Sequence, residues 1–199
     1  MPHPLPQAAD DPTLQAILQD GRRLAAVRAT GLLDTPPEDG FDRLTALATR
    51  VIGAPVSFMS LVDQDRDFYK SHCGFGEPLA STRSLTGRTF CHHALASDGP
   101  LVLEDTAALP GFAEVPTVRS LGVRAYVGIP LVTDQGQRIG SFCAIDFEPR
   151  RWTELDLHVL TELARSAMRE IALREALHRA QAATQAAQTA PLAQAGLHA

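Results

Sequence analysis

The spacing of hydrophobic positions changes repeatedly along the chain, and each change marks a predicted element. "PTLQAILQDGRRLAAVRATG" (residues 12–31) repeats at helical spacing, breaks at Gly21 and stops at Gly31, which predicts two short helices. In "TPPEDGFDRLTALATRVIG", Phe41, Leu44, Leu47, Ala48, Val51 and Ile52 recur on a helical period. Thr35 reads as its N-cap, Pro36 as the first helical residue, Glu38 as the other half of a capping box and Gly53 as its stop. From Pro55 the period becomes two. "PVSFMSLVD" and "RDFYKSHCG" flank Gln64-Asp65 and predict a hairpin, and "PLVLED" predicts a third strand. Between them "STRSLTG" reads as a loop and "RTFCHHALAS" as one or two helical turns.

A second hairpin follows, "VRAYVGIPLVT" and "RIGSFCAID" around Asp134-Gln135-Gly136-Gln137. Strict alternation puts Val123, Ala125, Val127, Ile129 and Leu131 on one face, together with Ile139, Ser141, Cys143 and Ile145. The opposite face then carries Tyr126, Gly128 and Pro130 with Gly140, Phe142 and Ala144. Neither face is polar throughout, so both are expected to be covered, one by helices and one by loops that enclose a pocket. The last element opens at Thr153, an N-cap with Trp152 and Leu157 as a hydrophobic staple, and shows the stripe Leu160, Leu163, Ala164, Ala167 and Ile171. Beyond about residue 175 the stripe thins into Ala and Gln. The order of elements predicts an α+β domain: one antiparallel sheet with terminal helices on one face. The expected division is a loose segment at 1–20, the folded domain at 21–175, and a helical extension with an Ala/Gln-rich disordered tail at 176–199.

Composition narrows the function classes. The 199 residues are 45% hydrophobic and 21% charged, as expected of a globular core. A net charge of −5 with no Lys/Arg run speaks against nucleic acid as a partner. The N-terminus lacks the pattern of a signal peptide, no apolar stretch approaches the ~20 residues of a membrane span, and three cysteines without a CxxC pair fit reduced thiols. A cytoplasmic protein is expected.

Between residues 22 and 166 the chain resembles the GAF family of bacterial sensory domains. The resemblance rests on "LLDTPPE…FD", then "FCHHAL", then "VRAYVGIPLVTDQGQRIGSFCAID", then "WTELDLHVLTELA", in the family's order and spacing. It is nearest to the group found N-terminal in sensor histidine kinases and diguanylate cyclases. The resemblance implies a six-stranded antiparallel sheet with helices on one face and a small-molecule pocket on the other. It further implies homodimerisation through terminal helices and a signal passed to an output domain. Only about 25 residues follow the last family-like helix, so that output is expected from a partner such as a histidine kinase or diguanylate cyclase, unless the chain is a fragment or stands alone.

Cys91, His92 and His93 invite sharper chemistry. A metal is disfavoured, because adjacent residues on a helix point apart and no spaced ligand pairs occur; His72-Cys73 could help only if the segment were a strand. The family's bilin-binding members attach chromophore through a Cys-His pair just before the second hairpin, where "VPTVRSLGVRAYVG" has no cysteine. A GAF-like enzyme class reduces free methionine sulfoxide with a cysteine near this position. Its "GVCG" pattern is replaced here by "TFCHH", leaving Cys91 as attacking thiol and Cys73 as resolver in the enzyme alternative. Cys143 reads as a small core hydrophobe. The favoured reading has no catalytic residue, no metal ligand and an unidentified small molecule in a pocket formed by Phe90, Cys91, His93, Tyr126 and Phe142. A ligand-free dimerisation module is a third possibility.

Overall fold

In a computed structural model, which describes residues 12–113 and 115–194, three helices lead into the sheet: α1 (Pro12–Leu18), α2 (Gly21–Ala29) and α3 (Asp39–Ile52). The hairpin β1 (Val56–Val62) and β2 (Arg66–Cys73) is followed by the turn α4 (Leu79–Thr82), edge strand β3 (Ser84–Thr86) and α5 (Phe90–Leu95). Then come β4 (Leu101–Leu103), a 3-10 turn (Thr106–Ala108), α6 (Pro110–Ala113) and α7 (Pro116–Leu121). The hairpin β5 (Ala125–Val132) and β6 (Arg138–Asp146) leads to the long α8 (Glu154–Gln194). One six-stranded sheet results, ordered β3-β2-β1-β6-β5-β4, with every neighbouring pair antiparallel.

The sheet separates two cores. On one face, Phe41, Ala48 and Ile52 of α3 and Leu160, Ala167 and Ile171 of α8 pack on Met59, Val127 and Phe142. On the other, α1, α5 and the α6–α7 connection cover Phe58, Tyr69, Tyr126, Cys143 and Ile145. Thr153 opens α8 through a reciprocal box: Asp156 N–H donates to Thr153 Oγ1 (3.1 Å) and Thr153 N–H to Asp156 Oδ2 (2.9 Å).

Several local expectations are corrected. Residues 12–20 are not loose, since α1 docks Leu14 and Leu18 into the second core; residues 1–11 lie outside the described residues. Helix α3 begins at Asp39 rather than near Pro36, and Thr35 does not cap it. Thr35 and Pro36 each precede a proline, which favours extended backbone, and Lys70 holds that extended turn from the sheet side. The buried stripe of α3 is Phe41, Thr45, Ala48 and Ile52, which leaves Leu47 and Val51 exposed. Thr45 displaces leucine because its hydroxyl meets Ser71 Oγ at 2.7 Å and its carbonyl accepts Ser57 Oγ–H at 2.5 Å. Part of the "STRSLTG" loop is β3, paired to the edge of β2.

The two faces of β6 are also reassigned. Leu131 pairs with Gly140 but Val132 pairs with Arg138, so Ile139 is an extra residue and alternation reverses there. Ile139 therefore shares the α3/α8 face with Phe142 and Ala144, whereas Cys143 and Ile145 share the other face with Tyr126. Gly140 is required at this crossing, because a Cβ would collide with the Ser60 carbonyl of β1. Finally, α8 runs unbroken through Gln194, so Ala- and Gln-rich residues 180–194 are helical, in keeping with the strong helix propensity of Ala and Gln.

Candidate functional site

The "TFCHH" segment forms α5 because Thr89 is a true N-cap. Its Oγ1 accepts Cys91 N–H (3.1 Å), and its own N–H donates to His92 Nδ1 (3.3 Å). Thr89 Oγ1–H in turn donates to Asp67 Oδ2 of β2 at 2.5 Å. His92 Nε2 stands 3.2 Å from Asp67 Oδ1, and both side chains are buried. Nδ1 takes the Thr89 N–H, and Nε2 and Asp67 Oδ1 are close but make no hydrogen bond among the described residues. His92 is thus a fastener that ties α5 to the sheet. Arg23 anchors the neighbouring wall: it is buried and donates to the carbonyls of Val62 (2.6 Å), Leu18 (2.8 Å) and Ile17 (3.0 Å).

Between α5 and the sheet lies a cavity of about 20 Å³. Phe90 and Cys91 of α5 form one side and Tyr126 of β5 the floor, with Phe90 and Tyr126 stacked at 5.0 Å between centroids. Phe58, Tyr69 and Phe75 form a second aromatic group on the same cavity, with centroids 5.0–5.3 Å apart. Tyr126 leans along its strand over Gly128, where a Cβ would strike the phenol, and its hydroxyl meets Cys143 Sγ at 3.2 Å.

Of the residues expected at the pocket, Phe90, Cys91 and Tyr126 are therefore brought together. His93 is buried one layer back, edge-on to Phe112 at 5.1 Å, and does not line the cavity. Phe142 lies across the sheet in the other core, for the register reason given above. Sequence reasoning missed Phe58, Tyr69, Phe75 and Thr117. Phe58 and Tyr69 were accessible as aromatic positions of a predicted hairpin; Thr117 carried no pattern.

The thiols are rearranged relative to expectation. Cys73 pairs in register with Ser57, whose hydroxyl faces α3, so it sits on the face of the sheet opposite Cys91. The neighbour of Cys91 is Cys143 instead. Burial, reinforced by that neighbouring thiol, pushes the Cys91 thiol well above its usual range, and all three cysteines are free. Burial likewise raises the Tyr126 and Tyr69 phenols. Among the described residues, no three His, Cys, Asp or Glu side chains converge for a metal ion, and no helix is long and apolar enough to cross a membrane.

A sequence model of the GAF domain matches residues 11–171. The chain belongs to the GAF domain family. It is 31% identical over 151 residues to a cyclic di-GMP phosphodiesterase of Pseudomonas aeruginosa, covering 75% of this chain and 25% of that protein. This GAF chain thus spans a quarter of its curated relative. Its fold is shared with a domain of a two-component sensor histidine kinase from Sinorhizobium meliloti (TM-score 0.60, 16% identity, 74% of this chain and 99% of that one). It is shared equally with a free methionine-R-sulfoxide reductase from Neisseria meningitidis, solved with its substrate (TM-score 0.57, 20% identity, 88% and 99%). Sensory and catalytic proteins therefore stand side by side on this fold, and the site has to decide between them. The family membership and the signalling relative identify a signalling domain.

Proposed function

We propose that this GAF domain is a non-catalytic, cytoplasmic sensory or regulatory module. It binds a small molecule or a partner and passes the signal through its terminal helices within a two-component or cyclic-dinucleotide pathway. It acts as a homodimer beside a histidine kinase or diguanylate cyclase. The observation that carries this reading is a connection from the cavity wall to α8. Tyr69 lines the cavity, and the next residue, Lys70, donates to Thr35 Oγ1 (2.7 Å), the Pro36 carbonyl (2.7 Å) and Glu38 Oε1 (2.6 Å). The other oxygen of Glu38 binds Arg174 of α8. Arg174 follows Ile171, the last core residue of that helix among the described residues, so a shift of β2 reaches α8 where it leaves the domain. A ligand with different affinity for two positions of β2 would shift the population of helix geometries.

Native mass spectrometry of the protein purified from its host tests this reading. A co-purifying small molecule on a dimer is the expected spectrum. The thiol-reductase alternative is opposed by the chemistry of Cys91, whose raised pKa and burial leave almost no thiolate near neutral pH. Thioredoxin- and NADPH-coupled turnover of free methionine sulfoxide, abolished by Cys91→Ser, would overturn the sensory reading.

A further inference from the structure

Among the described residues, the cavity beneath α5 offers no counter-charge to an ion. Rings and aliphatic side chains form most of its wall, with Thr89, Cys91 and Thr117, and among the described residues no Lys, Arg, His, Asp or Glu lines it. Two backbone donors at the start of α5 are already engaged, Cys91 N–H by Thr89 Oγ1 and Thr89 N–H by His92 Nδ1. Arg23, the buried cation of this layer, directs its N–H groups at main-chain carbonyls. A phosphate or carboxylate entering here would lose its hydration and gain no replacement.

One fully buried polar group of the described wall is left over. Thr117 Oγ1 of α7 is buried, has no hydrogen-bond partner among the described residues, and belongs to a residue of the cavity wall. An unpaired buried hydroxyl is a specificity element waiting for a partner, since leaving it unmade is costly. At about 20 Å³ the cavity has room for one water. A larger guest must displace part of the wall, to which α4 contributes Leu79 and α7 contributes Thr117 and Leu121.

We propose that the cavity takes an uncharged, single-ring aromatic molecule bearing one hydroxyl, which stacks among Phe58, Tyr69, Phe90 and Tyr126 and pairs with Thr117 Oγ1. Nucleotides and other anions are rejected. This rests on the sensory reading only in assigning the cavity a ligand. Stacked or edge-on rings provide the shape selectivity, and the single hydroxyl provides the polar discrimination.

Isothermal titration of the full chain with phenol, benzene and cyclic GMP tests the assignment. Phenol is expected to saturate at one per chain, benzene to bind several-fold more weakly, and cyclic GMP not to bind. Thr117→Val should weaken phenol about five- to tenfold and leave benzene unchanged. If that variant does not fold, the ratio of phenol to benzene affinity on the unaltered chain decides. Equal affinities, absence of saturable phenol binding, or cyclic GMP binding that phenol displaces would each overturn the proposal. Amide exchange along residues 168–180 separates the two readings. Phenol binding with unchanged exchange upholds the ligand class and removes the sensory role. Binding of cyclic GMP with altered exchange does the reverse.

Discussion

Asp67 is a carboxylate with no exposed surface, held between the Thr89 hydroxyl and the His92 ring. Among the described residues its one side-chain hydrogen bond is from the Thr89 hydroxyl, while Oδ1 only lies near the His92 ring. Asp67→Ala leaves the Thr89 hydroxyl buried without its acceptor and removes the carboxylate beside the His92 ring. It should cost about 2–4 kcal/mol in urea unfolding followed by circular dichroism. A loss under about 0.5 kcal/mol would mean that the cluster is not what fastens α5. The raised acids next to it predict a second effect. Cys91, Tyr69 and Tyr126 all have folded-state pKa values above their unfolded ones. The folded protein keeps protons that the unfolded chain releases, so stability is intact below roughly pH 9 and falls as pH rises beyond it. The urea midpoint should decline steadily from pH 9 to pH 11, and less steeply in Tyr126→Phe. A flat midpoint over that range would contradict the burial of these groups.

At the scale of elements, the two large hairpins, the cap at Thr153 and the stripe of α8 were all readable, because turn residues and apolar spacing act locally. What the sequence concealed came from single-residue irregularities. The extra residue at Ile139 turned Phe142 away from the cavity and Cys143 toward it, and nothing in the pattern "RIGSFCAID" marks a bulge. Thr35 looked like a cap because its spacing to Glu38 is right. Both residues are instead recruited by Lys70, which lies 35 and 32 positions away in the chain. The Lys70 side chain is 0% exposed, so this contact is strongly constrained. Glu38→Ala should therefore destabilise by about 2–3 kcal/mol, since it leaves a buried ammonium short of its carboxylate. Arg174→Ala removes the other, more exposed partner and should cost less. Thermal unfolding of the two variants in parallel checks the order, and a reversed order would mean that Lys70 relaxes to solvent.

For the whole molecule, the question is what the free half of α8 is for. Among the residues whose burial is described, the helix buries none after Ile171, yet it continues to Gln194. Leu173 and Leu177, one turn apart, are 67% and 55% exposed. Beside them an open depression of about 520 Å³ runs between Ala26 and Ala29 of α2 and Ala172, Glu175 and Arg179 of α8. Leucines spaced i, i+4 on a solvated helix gain little in a monomer but supply a seam for a second helix. If the proposed homodimer forms there, replacing Leu173 and Leu177 together by Lys should yield a monomer in sedimentation velocity. The α3–α8 core contains neither residue, so the unfolding temperature extrapolated to low protein concentration should stay within a few degrees of the parent. Truncation after Glu175 should have the same pair of consequences. A parent chain that sediments as a monomer, or a double variant that remains dimeric, would place the association elsewhere. Signal transfer would then have to leave the domain by a route other than the paired ends of α8.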